Sequence, residues 1–171
     1  GHNGREETTT FTLIPMVKES ITIPVIAAGG IGNGRGMLAA MVLGADGVQI
    51  GSRFAASKES SAHVNLKQKI IDVKDGDTDL TLKELAPVRL IKNKFYREIQ
   101  ALYKENQTKE ELIGLLGRAR AKKGIFEGDL DNGELEIGQI AGIINNISSA
   151  KDILEEIVTD FETSKKTFLK Y

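Results

Sequence analysis

The chain of 171 residues contains no cysteine and no tryptophan, and it has only two histidines and three prolines. The absence of cysteine excludes disulfides, thiolate metal ligands and cysteine nucleophiles. Two histidines leave little room for a zinc centre. These absences favour chemistry carried by an organic cofactor, with one or two side chains assisting it.

The sequence also lacks an excess of charge of either sign and any long apolar run. Lys and Arg number 23 against 24 for Asp and Glu, so nothing drives binding to a nucleic-acid backbone or an anionic membrane. No stretch approaches the roughly 18 apolar residues of a spanning helix, and no signal sequence opens the chain. We expect a globular protein of the cytoplasm, with no nucleic-acid partner and no membrane partner.

The clearest pattern is a strand, helix and strand in succession. The β-branched run Ile23–Ala28 predicts a strand buried on both faces, and residues 33–43 predict a helix that ends at Gly44. A second strand is predicted over Gly47–Ile50, and a helix over 12–20 precedes the unit. Such units are parallel and right-handed.

After residue 58 the apolar positions take helical spacing and we predict no further clear strand. Helices are expected over 61–74, 92–104, 108–123 and 149–170. The helix over 108–123 opens on Thr108, three residues before Glu111, in a capping-box arrangement. Two buried parallel strands cannot form a covered sheet alone, so we expect the sheet to continue elsewhere.

The ends of the two predicted strands carry small residues suited to an anion. Gly29-Gly30 and Gly51-Ser52 follow the strands at the edge where α/β sheets and barrels build ligand sites. Glycines allow backbone amides to approach a phosphate closely, and Ser52 adds a hydroxyl donor. We call these four residues the phosphate cup. The alternative is that the glycines only make tight turns.

Four further positions can take part in chemistry. His2 is flanked by Gly1 and by Asn3-Gly4, and an imidazole ordinarily titrates near neutrality, which suits a side chain in a pocket, although a tag remnant is the alternative. His63 is expected to lie at the surface or cap a helix. Arg53 follows the cup and can bind a phosphate or orient a carboxylate behind it. Gln49 is an amide in a strand predicted to be buried, which favours a contact with a ligand edge.

For two further segments, the sequence leaves two interpretations open. Residues Gly138–Gly142 form either a loop that returns to the pocket or a bend between helices. The basic run Arg118–Lys123 is either a solvated helix end or a contact for an acidic partner.

Several segments, in their order and spacing, resemble a known family. They are Gly1–Gly4 with Thr8–Thr10, Pro24–Ile31, Leu43–Phe54 and Gly138–Gly142. Together they resemble the flavin-dependent enoyl-[acyl-carrier-protein] reductase II and nitronate monooxygenase family, the latter formerly called 2-nitropropane dioxygenase. The match would cover the C-terminal half of such a protein.

The resemblance implies an α/β fold, a TIM-type (β/α) barrel of which this chain holds only the C-terminal strands and a helical C-terminal region. Residues 1–57 would be the C-terminal part of the FMN-binding barrel. Residues 58–171 would be a mostly helical region that packs on the barrel. The N-terminal half of the same barrel would be missing from this chain, and we also expect a homodimer.

The resemblance also assigns residues. The active-site histidine of the family matches His2, which would lie beside the reactive face of the FMN ring. Gln49 would lie along the flavin, and the backbone of the cup would hold its phosphate. The complete set expected to bind the cofactor is Gly1, Ala28, Gly29, Gly30, Gln49, Gly51, Ser52 and Gln139.

The reaction that this resemblance implies is reduction of enoyl thioesters on acyl carrier protein in fatty-acid synthesis, with FMN as cofactor and NADH or NADPH as reductant. His2 would stabilise the thioester enolate or supply the α-proton. The alternative within the family is a nitronate monooxygenase, which oxidises alkyl nitronates with oxygen. A third hypothesis is a barrel without redox chemistry that binds another phosphorylated ligand through the same cup.

Overall fold

The structure is a computed structural model that describes residues 8–105 and 108–170. Helix α1 (Thr10–Ser20) leads into a βαβ unit formed by β1 (Ile26–Ala28), α2 (Gly34–Val42) and β2 (Gly47–Gln49). The two strands pair in parallel, with Ala27 opposite Val48. The predicted order of helix, strand, helix and strand is therefore confirmed.

Local side chains set the limits of this unit. The Asn33 side chain caps α2 by accepting a hydrogen bond from Gly36 N at 2.8 Å, and Gly44 follows the helix with φ of +107°. Before β2, the Asp46 carboxylate accepts hydrogen bonds from Lys18 Nζ at 2.7 Å and Val25 N at 2.8 Å. The bond from Lys18, followed by that from Val25, holds the pKa of Asp46 below its ordinary value. Asp46 thus ties α1 to the start of β1.

Only one face of β1 is buried, so the prediction of a strand buried on both faces is wrong. Ala27 is 3% exposed and packs with Ile14 of α1 and Ala40 of α2, whereas Ile26 is 58% exposed. Successive strand residues point to opposite faces, and helices cover only one face in the part of the chain that the structure describes.

Helices α3 (Ser52–Ala55) and α4 (Val64–Asp72) follow β2, and an antiparallel hairpin of β3 (Thr78–Thr81) and β4 (Val88–Ile91) comes next. The expectation of no clear strand after residue 58 is therefore wrong. Each strand has four residues, too few to show a period of two, and all four residues of β4 are buried.

The helix predicted over 108–123 is two helices, α6 (Lys109–Leu116) and α7 (Arg120–Ile125), which follow α5 (Lys94–Lys104). The chain turns between them because Gly117 and Ala119 have φ of +58° and +64°.

The capping box at the start of α6 is confirmed. Glu111 N donates to the Thr108 side chain, and Thr108 N donates to the Glu111 carboxylate at 2.8 Å. The hydrogen bonds from Thr108 hold the pKa of Glu111 below its ordinary value.

A 3-10 helix (Gln139–Ile143) and the long helix α8 (Ala150–Phe168) complete the described chain. Helix α8 lies so close to the start of α2 that a Cβ on Gly34 would collide with the backbone of Phe161. None of the described helices is both long enough and apolar enough to cross a membrane.

Candidate functional site

The carboxyl ends of β1 and β2 meet in one pocket of about 210 Å³. Its lining comprises the phosphate cup and four neighbouring residues, namely Ala28, Gly29, Gly30, Ile31, Gln49, Gly51, Ser52 and Ile140. The structure therefore brings together six of the eight residues that the resemblance assigned to the cofactor, namely Ala28, Gly29, Gly30, Gln49, Gly51 and Ser52. Because the strands are parallel and paired in register, both ends open on the same edge.

The cup glycines present bare backbone to this pocket. Gly29 and Gly30 have φ of +98° and +74°, a region that glycine enters without steric cost. A Cβ on Gly51 would meet no atom within 4 Å, and one on Gly30 would meet only the Thr10 hydroxyl oxygen at 4.0 Å. The Thr10 hydroxyl donates to Gly29 O at 2.9 Å and fixes the turn. The space in front of these backbones is open and fits a phosphate group.

Ser52 joins the cup to a distant segment of the chain. Its hydroxyl oxygen accepts a hydrogen bond from Gly138 N at 3.1 Å, which leaves the hydroxyl hydrogen available for a ligand. Ile140, in the 3-10 helix that follows Gly138, lines the cup pocket. Of the two interpretations of Gly138–Gly142, the structure therefore shows a segment that returns to the pocket.

Arg53 points away from the cup, although it is next in sequence. It is 5% exposed, and its Nη1 donates to Asn146 O at 3.1 Å. Its Nη2 donates to Asn146 Oδ1 at 2.7 Å and to the Glu156 carboxylate at 3.2 Å. Arg53 thus binds a carboxylate behind the cup, which is one of the two roles considered, and connects α3 to α8.

Gln49 is exposed, so the prediction of an amide in a buried position is wrong. Its position on β2 belongs to the same face as Ile26 and Ala28, which the described elements leave open. Gln49 does line the cup pocket.

A second pocket, of about 520 Å³, shares Gly29, Gly30 and Ile31 with the first. Gln139 lines this pocket together with Arg89 of β4. We call it the arginine pocket. Sequence reasoning missed Arg89, and the available signal was a lone cation inside the apolar run Val88–Ile91.

Gly1 and His2 lie outside the described residues. His63 caps α4, since its Nδ1 accepts from Asn65 N at 3.1 Å, as expected.

In the basic run, the Arg120 guanidinium donates to Asn132 O and Leu115 O and lies 4.8 Å from the centre of the Phe95 ring. The Arg120 guanidinium therefore already has its partners within this chain.

Comparison with known proteins agrees with this geometry. The sequence profile described as nitronate monooxygenase matches residues 1–160. A probable nitronate monooxygenase of Bacillus subtilis is 37% identical over 149 residues, which is 86% of this chain and 42% of the relative. Its counterpart in Staphylococcus saprophyticus is 35% identical over 150 residues, or 87% of this chain and 42% of the relative.

Solved structures of related proteins superpose closely. FabK from Thermotoga maritima has a TM-score of 0.89 and 41% identity, covering 97% of this chain and 53% of that one. Nitroalkane oxidase from Streptomyces ansochromogenes has a TM-score of 0.72 and 29% identity. The match covers 93% of this chain and 45% of the oxidase chain. Both are TIM-barrel enzymes, and the chain spans about half the length of the relatives it matches. The chain therefore belongs to the nitronate monooxygenase family of oxidoreductases, whose members are FMN-dependent flavoenzymes.

Proposed function

We propose that this chain forms the C-terminal part of an enzyme that reduces enoyl-[acyl-carrier-protein] thioesters, with FMN as cofactor and NADH or NADPH as reductant. The observation that carries this proposal is the agreement with FabK, an enoyl-[acyl-carrier-protein] reductase II. That agreement has the higher identity and TM-score and extends over nearly the whole chain.

The cup is the proposed site of the FMN phosphate. The backbone amides of Gly30 and Gly51 and the free hydroxyl hydrogen of Ser52 supply neutral donors around an open space. Ala28 and Gly29 shape the same pocket, and Gln49 offers an amide beside it. Gln139, which lines the adjoining arginine pocket, completes the described part of the cofactor set. FMN, when bound, supplies the hydride chemistry of the reaction.

His2 is the proposed catalytic residue, and Gly1 belongs to the proposed cofactor contacts. An imidazole has a pKa near neutrality, so it can hold or release a proton under working conditions. At the thioester, His2 would stabilise the enolate oxygen or deliver the proton to the α-carbon. The hydride would enter at the β-carbon.

A nitronate monooxygenase is the second candidate. The names of the B. subtilis and S. saprophyticus relatives favour it, as does the family profile. In this case the same histidine and cup would serve the oxidation of an alkyl nitronate with oxygen.

The test is anaerobic stopped-flow spectroscopy on the complete FMN-loaded protein that contains these residues. We expect NADH or NADPH to bleach the flavin rapidly and a crotonyl thioester to restore its absorbance. Bleaching by an alkyl nitronate, without reduction by a nicotinamide, would establish the monooxygenase instead. A purified complete protein without flavin absorbance would favour the third hypothesis, another phosphorylated ligand in the cup.

The same proposal includes the carrier of the substrate, the pathway, the oligomeric state and the cellular location. We expect an enoyl substrate linked to an acyl carrier protein, a place in fatty-acid synthesis, a homodimeric enzyme and a cytoplasmic location. The N-terminal half of the barrel would complete the flavin site.

A further inference from the structure

Arg89 is a buried cation with an incomplete set of partners. It lies on β4, where its backbone O accepts a hydrogen bond from Ile137 N at 3.2 Å, and it is 9% exposed. Its Nη1 donates to the Thr78 hydroxyl at 3.3 Å, and its Nε is buried with no hydrogen-bond partner. No ion pair of Arg89 is found in the described part of the chain.

A guanidinium in such a position requires an anion. A guanidinium in a protein is cationic and carries five N–H donors in a planar fork. An uncompensated buried charge is strongly unfavourable, which is why buried cations are normally paired. A single neutral hydroxyl does not satisfy that requirement.

The arginine pocket has the chemistry to hold the missing group. Arg89 and Gln139 line it together with Thr8–Thr10, whose side chains carry hydroxyls, and with the backbone of Gly29 and Gly30. The remaining lining is mostly apolar, from Phe11, Ile14, Ile31, Ala39, Ala40 and Leu43. A volume of about 520 Å³ accommodates an anionic head with an organic chain attached to it.

We infer that Arg89 is the centre of a second anion site, adjacent to the phosphate cup, which binds a phosphate ester of the substrate or of the nicotinamide reductant. The ester would be that of the phosphopantetheine arm that carries the enoyl group, or that of NADH or NADPH. The flavin phosphate is the weaker choice, because the cup already provides open neutral donors in its own pocket. This inference rests on the proposed function. It names the ligand group, a phosphate ester, that the arginine pocket recognises.

The experiment compares Arg89→Met with Arg97→Met in the complete FMN-loaded protein. Arg97 is an exposed arginine on α5 and serves as the matched control. One arm measures kcat/KM for crotonyl-phosphopantetheine relative to crotonyl-pantetheine, which lacks the phosphate. The other measures the rate constant of flavin reduction by NADPH relative to 1-benzyl-1,4-dihydronicotinamide, a hydride donor without phosphate.

We expect Arg89→Met to lower one of these ratios about tenfold or more, since a charge-assisted bond to phosphate is lost. The arm that responds identifies the source of the phosphate. Arg97→Met should change both ratios less than twofold. If Arg89→Met changes neither ratio, the inference is overturned. It is also overturned if the Kd for FMN rises tenfold while both ratios stay constant, because the guanidinium would then serve the flavin.

Two further experiments apply if Arg89→Met does not fold or if the enzyme does not reduce enoyl thioesters. Arg89→Lys keeps the charge but loses the planar fork, so it should lower the same ratio about threefold even if Arg89→Met does not fold; an unchanged ratio would contradict the inference. If the enzyme does not reduce enoyl thioesters, calorimetric titration with phosphopantetheine and NADP⁺ tests the site without turnover. Tenfold weaker binding to the Arg89 variant would support the anion site, and equal binding would exclude it.

Discussion

Ser52 has two hydrogen-bonding functions at once. Its oxygen accepts from Gly138 N, and its hydrogen remains available to the cup pocket. Because a hydroxyl can accept and donate at the same time, Ser52 holds the returning segment and, in the proposed cofactor site, has a donor left for a phosphate.

Replacement of Ser52 separates these functions. Ser52→Ala should raise the Kd for FMN about tenfold in the complete protein, because a donor to a charged oxygen is lost. Ser52→Thr keeps the hydroxyl and should stay within about threefold of the parent. Flavin fluorescence titration measures both constants. If Ser52→Ala lowers the Tm of the flavin-free protein yet binds FMN normally, the hydroxyl serves Gly138 alone.

The cup residues could be predicted from the sequence because their signal is local. Gly29, Gly30, Gly51 and Ser52 each follow a short apolar strand, and the pairing of two parallel strands is enough to bring them together. Arg89 could not be assigned to a pocket in this way. Its neighbours Thr10, Gly29 and Gln139 lie about 50 or more residues away in the sequence, and only the tertiary fold places them around one cavity.

At the scale of elements, the contact between α2 and α8 depends on the absence of a side chain. Gly34 opens α2, and its Cα faces the backbone of α8 at Ile157 and Phe161. The sequence indicated both helices but not their contact, because a glycine at a helix start fits a flexible turn equally well. The break between α6 and α7 was missed because residues 118–123 are all good helix formers, whereas the φ of +58° at Gly117 ends the helix.

Two glycine-to-alanine substitutions test this contact. Gly34→Ala should destabilise the chain by about 1–3 kcal/mol, because the new methyl group collides with the backbone of α8. Gly114→Ala in α6 is the matched control, since its Cβ would meet nothing within 4 Å. That control should be neutral or stabilising by up to about 1 kcal/mol through helix propensity. Urea unfolding measures both, and equal effects of the two substitutions would show that Gly34 does not mediate close packing.

At the scale of the whole molecule, the main feature of the described residues is a parallel sheet of two strands with one face open. Ile26, on the open face of β1, is 58% exposed, and Ile23, just before this strand, is 65% exposed. Parallel sheets are normally covered on both faces, so this surface matches the proposal that further barrel strands complete the fold.

The 171 residues alone should therefore bind FMN at least about tenfold more weakly than the complete protein and show no turnover, because part of the flavin site would be absent. Equilibrium ultrafiltration measures the first property, and the stopped-flow assay measures the second. Full turnover by the isolated chain would contradict this expectation. Co-expression with the N-terminal half of the barrel should restore flavin binding.

The bond between Gly138 N and Ser52 Oγ joins residues 86 positions apart. The chain leaves the cup at Ser52, builds the hairpin and helices α4 to α7, and returns to within 3.1 Å of its departure point. A segment closed at its base in this way can gain, lose or exchange residues without displacing the cup. Arg89 lies on that segment and the cup lies outside it, so substitutions in the segment can change the proposed recognition of a phosphorylated substrate or reductant without changing the proposed cofactor site.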